Sequence, residues 1–387
     1  MEKGEAGLPP GWAGRLRLYG GVVCLLYLAL VLAGASSLVR PHAAPPAIND
    51  FIAFHAAGGM ALQGRAAEAY DATLLHAAQR AVFGGEFAGA FFWLNPPSFF
   101  LAVAPFSALP YIAAWLAWSL LTAIFLGAML RLIVPGAVVV ALMAAPAIFI
   151  CAFVGQNGML TAGLMAGCLA LLERRPRLAG VLLGLLTVKP QLGLLFPPFL
   201  LLGRRWAVIL AATATALALA LASALWLGLA PWAAFLGSVG GSRDFLAGGA
   251  GAWSKLQSPF ALAVQVSGSL GVATVVQAAV VAGLLGALAW LHRRGAPAAI
   301  RAAALVAASA LATPYLHAYD APMLSVAAAF LLRDGLARGI GRGEVAIIVA
   351  ACLAPAVVML AGSLATPTGA ALLILVAFRR AGVSSRP

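Results

Sequence analysis

Charged side chains are scarce in this chain. Only 9% of its 387 residues are Asp, Glu, Lys or Arg, and only eleven are acidic. Soluble domains carry about 25% charged residues, so too little polar surface is present to cover a water-facing globule. The four cysteines, Cys24, Cys151, Cys168 and Cys352, all fall inside apolar runs. No pair has metal-ligand spacing, which leaves soft core packing as their role. The five histidines form no i,i+4 pair, so the zinc-binding helix motif is missing. The formal net charge of +13 comes from short basic clusters, with no basic stripe interleaved with exposed aromatics, which argues against nucleic acid. The two halves of the chain show no repeat.

Hydrophobic residues make up 63% of the chain, in continuous Leu/Ala-rich runs rather than the short alternating segments of a membrane β-barrel. One helical crossing takes about 20 apolar residues. Apolar stretches run near 18–39, 97–130, 134–153, 158–172, 178–188, 190–203, 207–229, 260–291, 298–312, 319–332, 344–361 and 367–378. The expected fold class is therefore all-α: a polytopic membrane protein of about twelve transmembrane helices, forming a single integral membrane domain over 1–387. The run at 18–39 is long for a signal peptide, and Leu38-Val39-Arg40 is a poor cleavage site, so it reads as an uncleaved first span.

Crossings counted from a cytoplasmic tail at 1–17 put Arg40, Arg65, Arg80, Lys189, Arg243 and Lys255 outside and leave the other 18 of 24 basic residues inside. That bias follows the positive-inside rule. It predicts an inner-membrane, multi-pass protein with both termini cytoplasmic. Two extracytoplasmic loops are long, 40–96 and 230–259. Within the first, 50–63 and 71–83 read as short amphipathic helices on the surface. The stretch 97–130 is too long for one helix and is interrupted by Pro105 and Pro110; it predicts a short re-entrant or interfacial piece followed by a full span. The stretch 178–203 reads as two short pieces meeting at Lys189-Pro190. Irregular backbone at membrane depth is tolerated where it lines a cavity.

No carboxylate falls in the middle of an expected span. Ion-coupled transporters keep one there despite a cost of about 2.5–3.5 kcal/mol, so this absence argues against transport. Four polar clusters, at Asp50, Gly155–Gly158, Lys189 and His317, are expected at the outer membrane face. Asp50 follows the first span by about ten residues; it can accept a proton at neutral pH, and capping a helix is its plainer role. Lys189 reads either as a snorkelling lysine or as a cation for a lipid-linked phosphate. Thr313-Pro314-Tyr315-Leu316-His317-Ala318-Tyr319-Asp320 concentrates hydrogen-bonding groups, with an interfacial aromatic belt as the alternative. Gly155-Gln156-Asn157-Gly158 is either part of a site or a tight turn.

These residues resemble the polyprenyl-phosphate-sugar-dependent membrane glycosyltransferases of family 87, which have the C-type fold. The resemblance rests on Asn49-Asp50-Phe51, Gly64 and Ala69-Tyr70-Asp71; then Asn95-Pro96-Pro97, Gly155-Gln156-Asn157, Arg174-Arg175 and Gly180; then Lys189-Pro190, Arg204-Arg205-Trp206 and Thr313-Pro314 through His317. It spans about 45–320. Where the family often has an Asn-Gln-Ser-like element after the second large loop, this chain has Leu256-Gln257-Ser258-Pro259.

The resemblance implies transfer of a hexose, often mannose, from a polyprenyl-phosphate donor to a glycolipid or glycan hydroxyl of the cell envelope, on the extracytoplasmic face. It implies that Asp50 is the general base. Lys189, His317, Gln156, Asn157, Tyr315 and His55 are the expected ligands of the donor's phosphate or sugar. The expected partners are the donor, the acceptor and membrane lipids. No metal or other cofactor is expected, the lipid-linked sugar being a substrate. A multi-span transporter or lipid flippase is the alternative.

Overall fold

The computed structural model describes residues 8–38, 48–87, 89, 91–247, 253 and 255–383. Residues 1–7 of the expected tail, 40–47 at the start of the first loop and most of 248–254 in the second lie outside the described residues.

The elements run α1 (Trp12–Ser37), α2 (Phe51–Leu62), α3 (Ala72–Phe83), α4 (Phe100–Ser107), α5 (Tyr111–Arg131), α6 (Gly136–Met143), α7 (Pro146–Val154) and α8 (Gly158–Leu171). They continue with α9 (Pro176–Leu185), α10 (Phe196–Leu202), α11 (Trp206–Leu227), α12 (Ala230–Ala247), α13 (Pro259–Ser267) and α14 (Leu270–Arg293). The last are α15 (Ala298–Ala312), α16 (Pro322–Arg338), α17 (Arg342–Leu353), α18 (Val358–Ala361) and α19 (Ala365–Val383). Among the described residues the β pairing is a single isolated bridge, Leu256 to His317.

Among the described residues, five helical segments are long and apolar enough to cross a membrane: Trp12–Ser37, Tyr111–Arg131, Trp206–Leu227, Leu270–Arg293 and Gly362–Gly382. The pair α6–α7 makes a sixth if its two pieces, bent by 59°, count as one span. The other apolar helices are shorter, so most of the twelve expected stretches are not single full-length helices. The long helices α1, α11 and α14 leave many large apolar side chains exposed, among them Leu25, Leu210 and Val275, as lipid-facing helices do. The short helices α8, α15 and α16 are buried on nearly every face. Their Ala- and Gly-rich surfaces allow close backbone approach, the usual packing solution in a bilayer.

Proline and glycine explain where the helices break. A residue preceding proline is driven out of the α region. Ala145, Lys189, Ser258 and Thr313 all precede a proline and have ψ of 138°, 71°, 154° and 133°. At the α6–α7 break the Tyr27 hydroxyl donates to the Ala144 carbonyl at 3.2 Å, satisfying a group freed from its helix. The stretch 97–130 divides as expected, into α4 with its preceding 3-10 turn and the full-length α5. The pieces α9 and α10 are separated by 3-10 turns on either side of Lys189.

One expectation about the first loop is overturned. The helix at 50–63 forms, but α2 is buried among α3, α4 and α5 rather than lying on the surface. Apart from His55 its faces are all Phe, Ile, Ala, Met, Leu or Gly, and a helix apolar all round is buried. Gly58 sits so close to α4 that a Cβ there would meet Ser107 Oγ at 2.2 Å. Only α3 is amphipathic, burying Leu75 and Gln79. The second loop likewise holds a long helix, α12, which packs on the first loop through Tyr70 and Phe235, with ring centroids 6.0 Å apart.

Candidate active site

The carboxylates of the first loop separate by their partners. Glu68 pairs with Arg65 and Glu86 with Arg80. Asp71 caps α3, accepting from the Thr73 and Leu74 amides at 2.9 Å. Asp50 precedes α2 yet makes no capping hydrogen bond. Its Oδ2 instead accepts from Gln156 Nε2 at 3.4 Å, across 106 residues of chain. The neighbouring Asn49 is also not a cap: it accepts from the Tyr111 hydroxyl and donates to the Phe153 carbonyl at 3.4 Å.

Gln156 belongs to the turn between α7 and α8. Gly155 there has φ +71°, and a Cβ would strike Phe51 Cβ at 2.6 Å, so only glycine serves. The Gln156 carbonyl accepts from Trp118 Nε1 at 3.3 Å, which holds the turn. The next residue, Asn157, is buried, and its side-chain oxygen accepts from Lys189 Nζ at 3.2 Å.

Lys189 does not snorkel. It is 7% exposed and forms an ion pair with Asp320 Oδ1 at 2.5 Å. Its ammonium also lies 4.9 Å from the Tyr319 ring centroid. The other Asp320 oxygen accepts from the His317 backbone N–H at 3.1 Å, closing the turn between α15 and α16. The His317 and Tyr319 rings stack at 4.8 Å, and His317 Nδ1 donates to the Tyr315 carbonyl at 3.3 Å. Gly158 lets this turn approach α8: a Cβ there would lie 1.7 Å from the Tyr319 carbonyl oxygen. A continuous polar chain thus runs Asp50, Gln156, Asn157, Lys189, Asp320, His317.

The segment before α13 completes the cluster. Leu256 bridges to His317, the Gln257 amide donates to the Leu316 carbonyl at 2.6 Å, and Ser258 Oγ donates to the Pro314 carbonyl at 2.7 Å. Gln257 Nε2 also donates to the Gly362 carbonyl at 2.7 Å. Leu256-Gln257-Ser258 is therefore the strap that fixes the His317 turn. The residue before it, Lys255, is exposed, and its charge bears on both Asp50 and His317.

Burial pushes the Asp50 carboxyl above the ordinary carboxylate value, while the Gln156 amide and Lys255 pull it back. For His317 the surrounding atoms enclose the ring although its edge is accessible. Burial drives the imidazole down to about 4 against the pull of Asp320, with Lys189 and Lys255 adding to the fall. His317 is therefore a neutral hydrogen-bonding ring at neutral pH rather than a cation.

His55 lies outside this cluster. It is buried on α2, with Nε2 donating to the Leu109 carbonyl at 2.9 Å and Nδ1 without a partner among the described residues. Tyr315 contributes its carbonyl, and the residue is 36% exposed. Asp320 and Lys255 are the residues that sequence reading left without a role. A buried lysine needs a counter-ion, and that need is the one signal that points to Asp320.

A sequence model of glycosyltransferase family 87 matches residues 93–314. That stretch is more than half of the chain. The chain belongs to glycosyltransferase family 87. The match takes in Gln156, Asn157, Lys189 and Lys255, while Asp50 and His317 lie beyond its two ends. No curated protein and no solved structure matches the chain. For a family-87 glycosyltransferase the arrangement offers a half-buried carboxylate, neutral donors beside it and the exposed Lys255. Among the described residues no group of three or more His, Cys, Asp or Glu is placed to hold a metal.

Proposed function

We propose that this glycosyltransferase moves a hexose, with mannose the first candidate, from a polyprenyl-phosphate donor to a hydroxyl of a glycolipid or glycan. The observation that carries the reading is the convergence of Asp50 with the Lys189–Asp320–His317 cluster, from four separate breaks in the helical backbone. In the proposed step Asp50 takes the acceptor's O–H proton, the acceptor oxygen bonds to the anomeric carbon, and the bond from that carbon to the phosphate oxygen breaks. Its electron pair leaves with the lipid phosphate. One displacement inverts the anomeric configuration.

The leaving phosphate gains negative charge, and groups that meet that charge lower the barrier. Lys189 is already matched by Asp320, so its role in this reading is to hold the His317 turn and to offer remaining N–H bonds. Lys255 supplies the unmatched positive charge. Gln156 and Asn157 orient sugar or phosphate oxygens. The reading carries with it a multi-pass inner-membrane topology of about twelve crossings, with the shorter apolar helices contributing, both termini cytoplasmic and the site extracytoplasmic.

Purified protein incubated with a panel of polyprenyl-phosphate sugars and a mixed glycolipid acceptor is expected to release lipid phosphate with at least one donor. Consumption of nucleotide sugars with no lipid phosphate released from any donor would rule the proposal out.

A further inference from the structure

The end of the molecule away from Asp50 carries a second polar cluster. Arg301 lies in the first turn of α15, and Thr313 follows the last residue of that helix at the Asp50 end. The rise from Arg301 to Ala312 is about 17 Å at 1.5 Å per residue, so the two clusters lie at opposite ends of the same buried helix.

Arg301 Nη1 donates to His292 Nδ1 at 3.0 Å. Its Nε is buried with no hydrogen-bond partner among the described residues. Arg205 pairs with Glu173, and its like charge bears on Arg301. No carboxylate among the described residues pairs with Arg301 or Arg204. Glu173, already paired with Arg205, is the one carboxylate whose charge bears on Arg301. Arg204 adds an independent sign: it has φ 51°, the one non-glycine residue at positive φ among the described residues. Such a conformation is uncommon for a residue with a Cβ. The cluster is bordered by exposed apolar side chains, Leu202 at 43% and Trp206 at 56%. An indole beside arginines is the usual furnishing of a membrane interface.

We propose that Arg204, Arg205 and Arg301 bind the phosphate of an anionic phospholipid headgroup, with its acyl chains along Leu202 and Trp206. The uncompensated charge and the buried Nε call for an anion with several acceptor oxygens, and the apolar border selects a lipid over a soluble one. The site is separate from the transfer site and does not depend on the proposed reaction.

The test is native mass spectrometry of the full chain in detergent, titrated with phosphatidylglycerol or phosphatidylcholine. The wild type is expected to retain phosphatidylglycerol preferentially and to keep it against excess inorganic phosphate. Arg301→Gln is expected to lower that retention at least about fivefold, the effect of one arginine near an anionic surface. Arg301 is partly buried, so Arg204→Gly is the second variant. Glycine suits the observed φ, so this change should keep or raise the melting temperature while still lowering retention. Wild-type retention in Arg204→Gly overturns the proposal, whatever Arg301→Gln does. Displacement by inorganic phosphate, or equal retention of phosphatidylcholine, overturns it as well.

Discussion

Asp50 is separated from the other loop carboxylates by what it does not do. Asp71 caps a helix and Glu68 holds an arginine, whereas Asp50 faces Gln156 with no cation bonded to it. Asp50→Asn is expected to lower turnover by about 10²–10⁴, the usual contribution of a general base, with donor KM and melting temperature little changed. Equal turnover in a lipid-phosphate release assay would remove Asp50 from the base role. Because burial holds its carboxyl above the reference value of 3.8, the base form is lost as pH falls through that raised value. The acid limb of kcat/KM therefore lies above 3.8. Lys255 lowers the Asp50 value, so Lys255→Gln should move this limb to higher pH as well as slow phosphate departure. A limb that stays in place would show that Lys255 does not act on Asp50.

The Lys189–Asp320 pair is a different case, because removing one partner strands a buried charge. Lys189→Ala is expected to cost about 3–5 kcal/mol. The double variant Lys189→Ala/Asp320→Ala should recover part of that loss in a thermal double-mutant cycle. Additive losses would mean that the two charges do not depend on each other. Sequence reading found Lys189 but not its partner, since the pair joins positions 131 apart and nothing local marks the match.

At the scale of elements, the breaks were legible and the burial was not. Prolines at 190, 259 and 314 and glycine at 155 mark the interruptions that bring the site together. The helix at 50–63 was legible as a helix, but its neighbours in space decide whether it lies on the surface, and composition cannot supply them. Helix α9 positions Lys189 from one side, and it packs on α11 through glycines one turn apart. A Cβ on Gly180 would lie 2.5 Å from the Val208 carbonyl oxygen, and one on Gly184 would lie 2.5 Å from Thr215 Cβ. Gly180→Leu is therefore expected to lower the melting temperature and the turnover together, because the helices must separate. Gly283→Leu, with nothing within 4 Å of its Cβ, is the matched control and should lower neither measurement.

For the whole molecule, the buried helices α8, α15 and α16 form a short interior that the long lipid-facing helices surround. The charge asymmetry seen in the sequence predicts which end faces which compartment. Lys255→Cys is expected to react with a membrane-impermeant maleimide in intact spheroplasts, and Arg174→Cys only after permeabilisation. The reverse pattern would invert the proposed orientation. A helix-by-helix count of crossings was not legible from hydropathy, because paired short pieces such as α9 and α10 have the composition of a span without its continuity.

Gln156 and Asn157 are consecutive residues, yet one reaches the carboxylate and the other the lysine. The turn therefore works as a caliper. It fixes the gap between the group that would receive a proton and the cluster proposed to face the departing phosphate. Lengthening the turn by a single residue would open the caliper without removing any functional group.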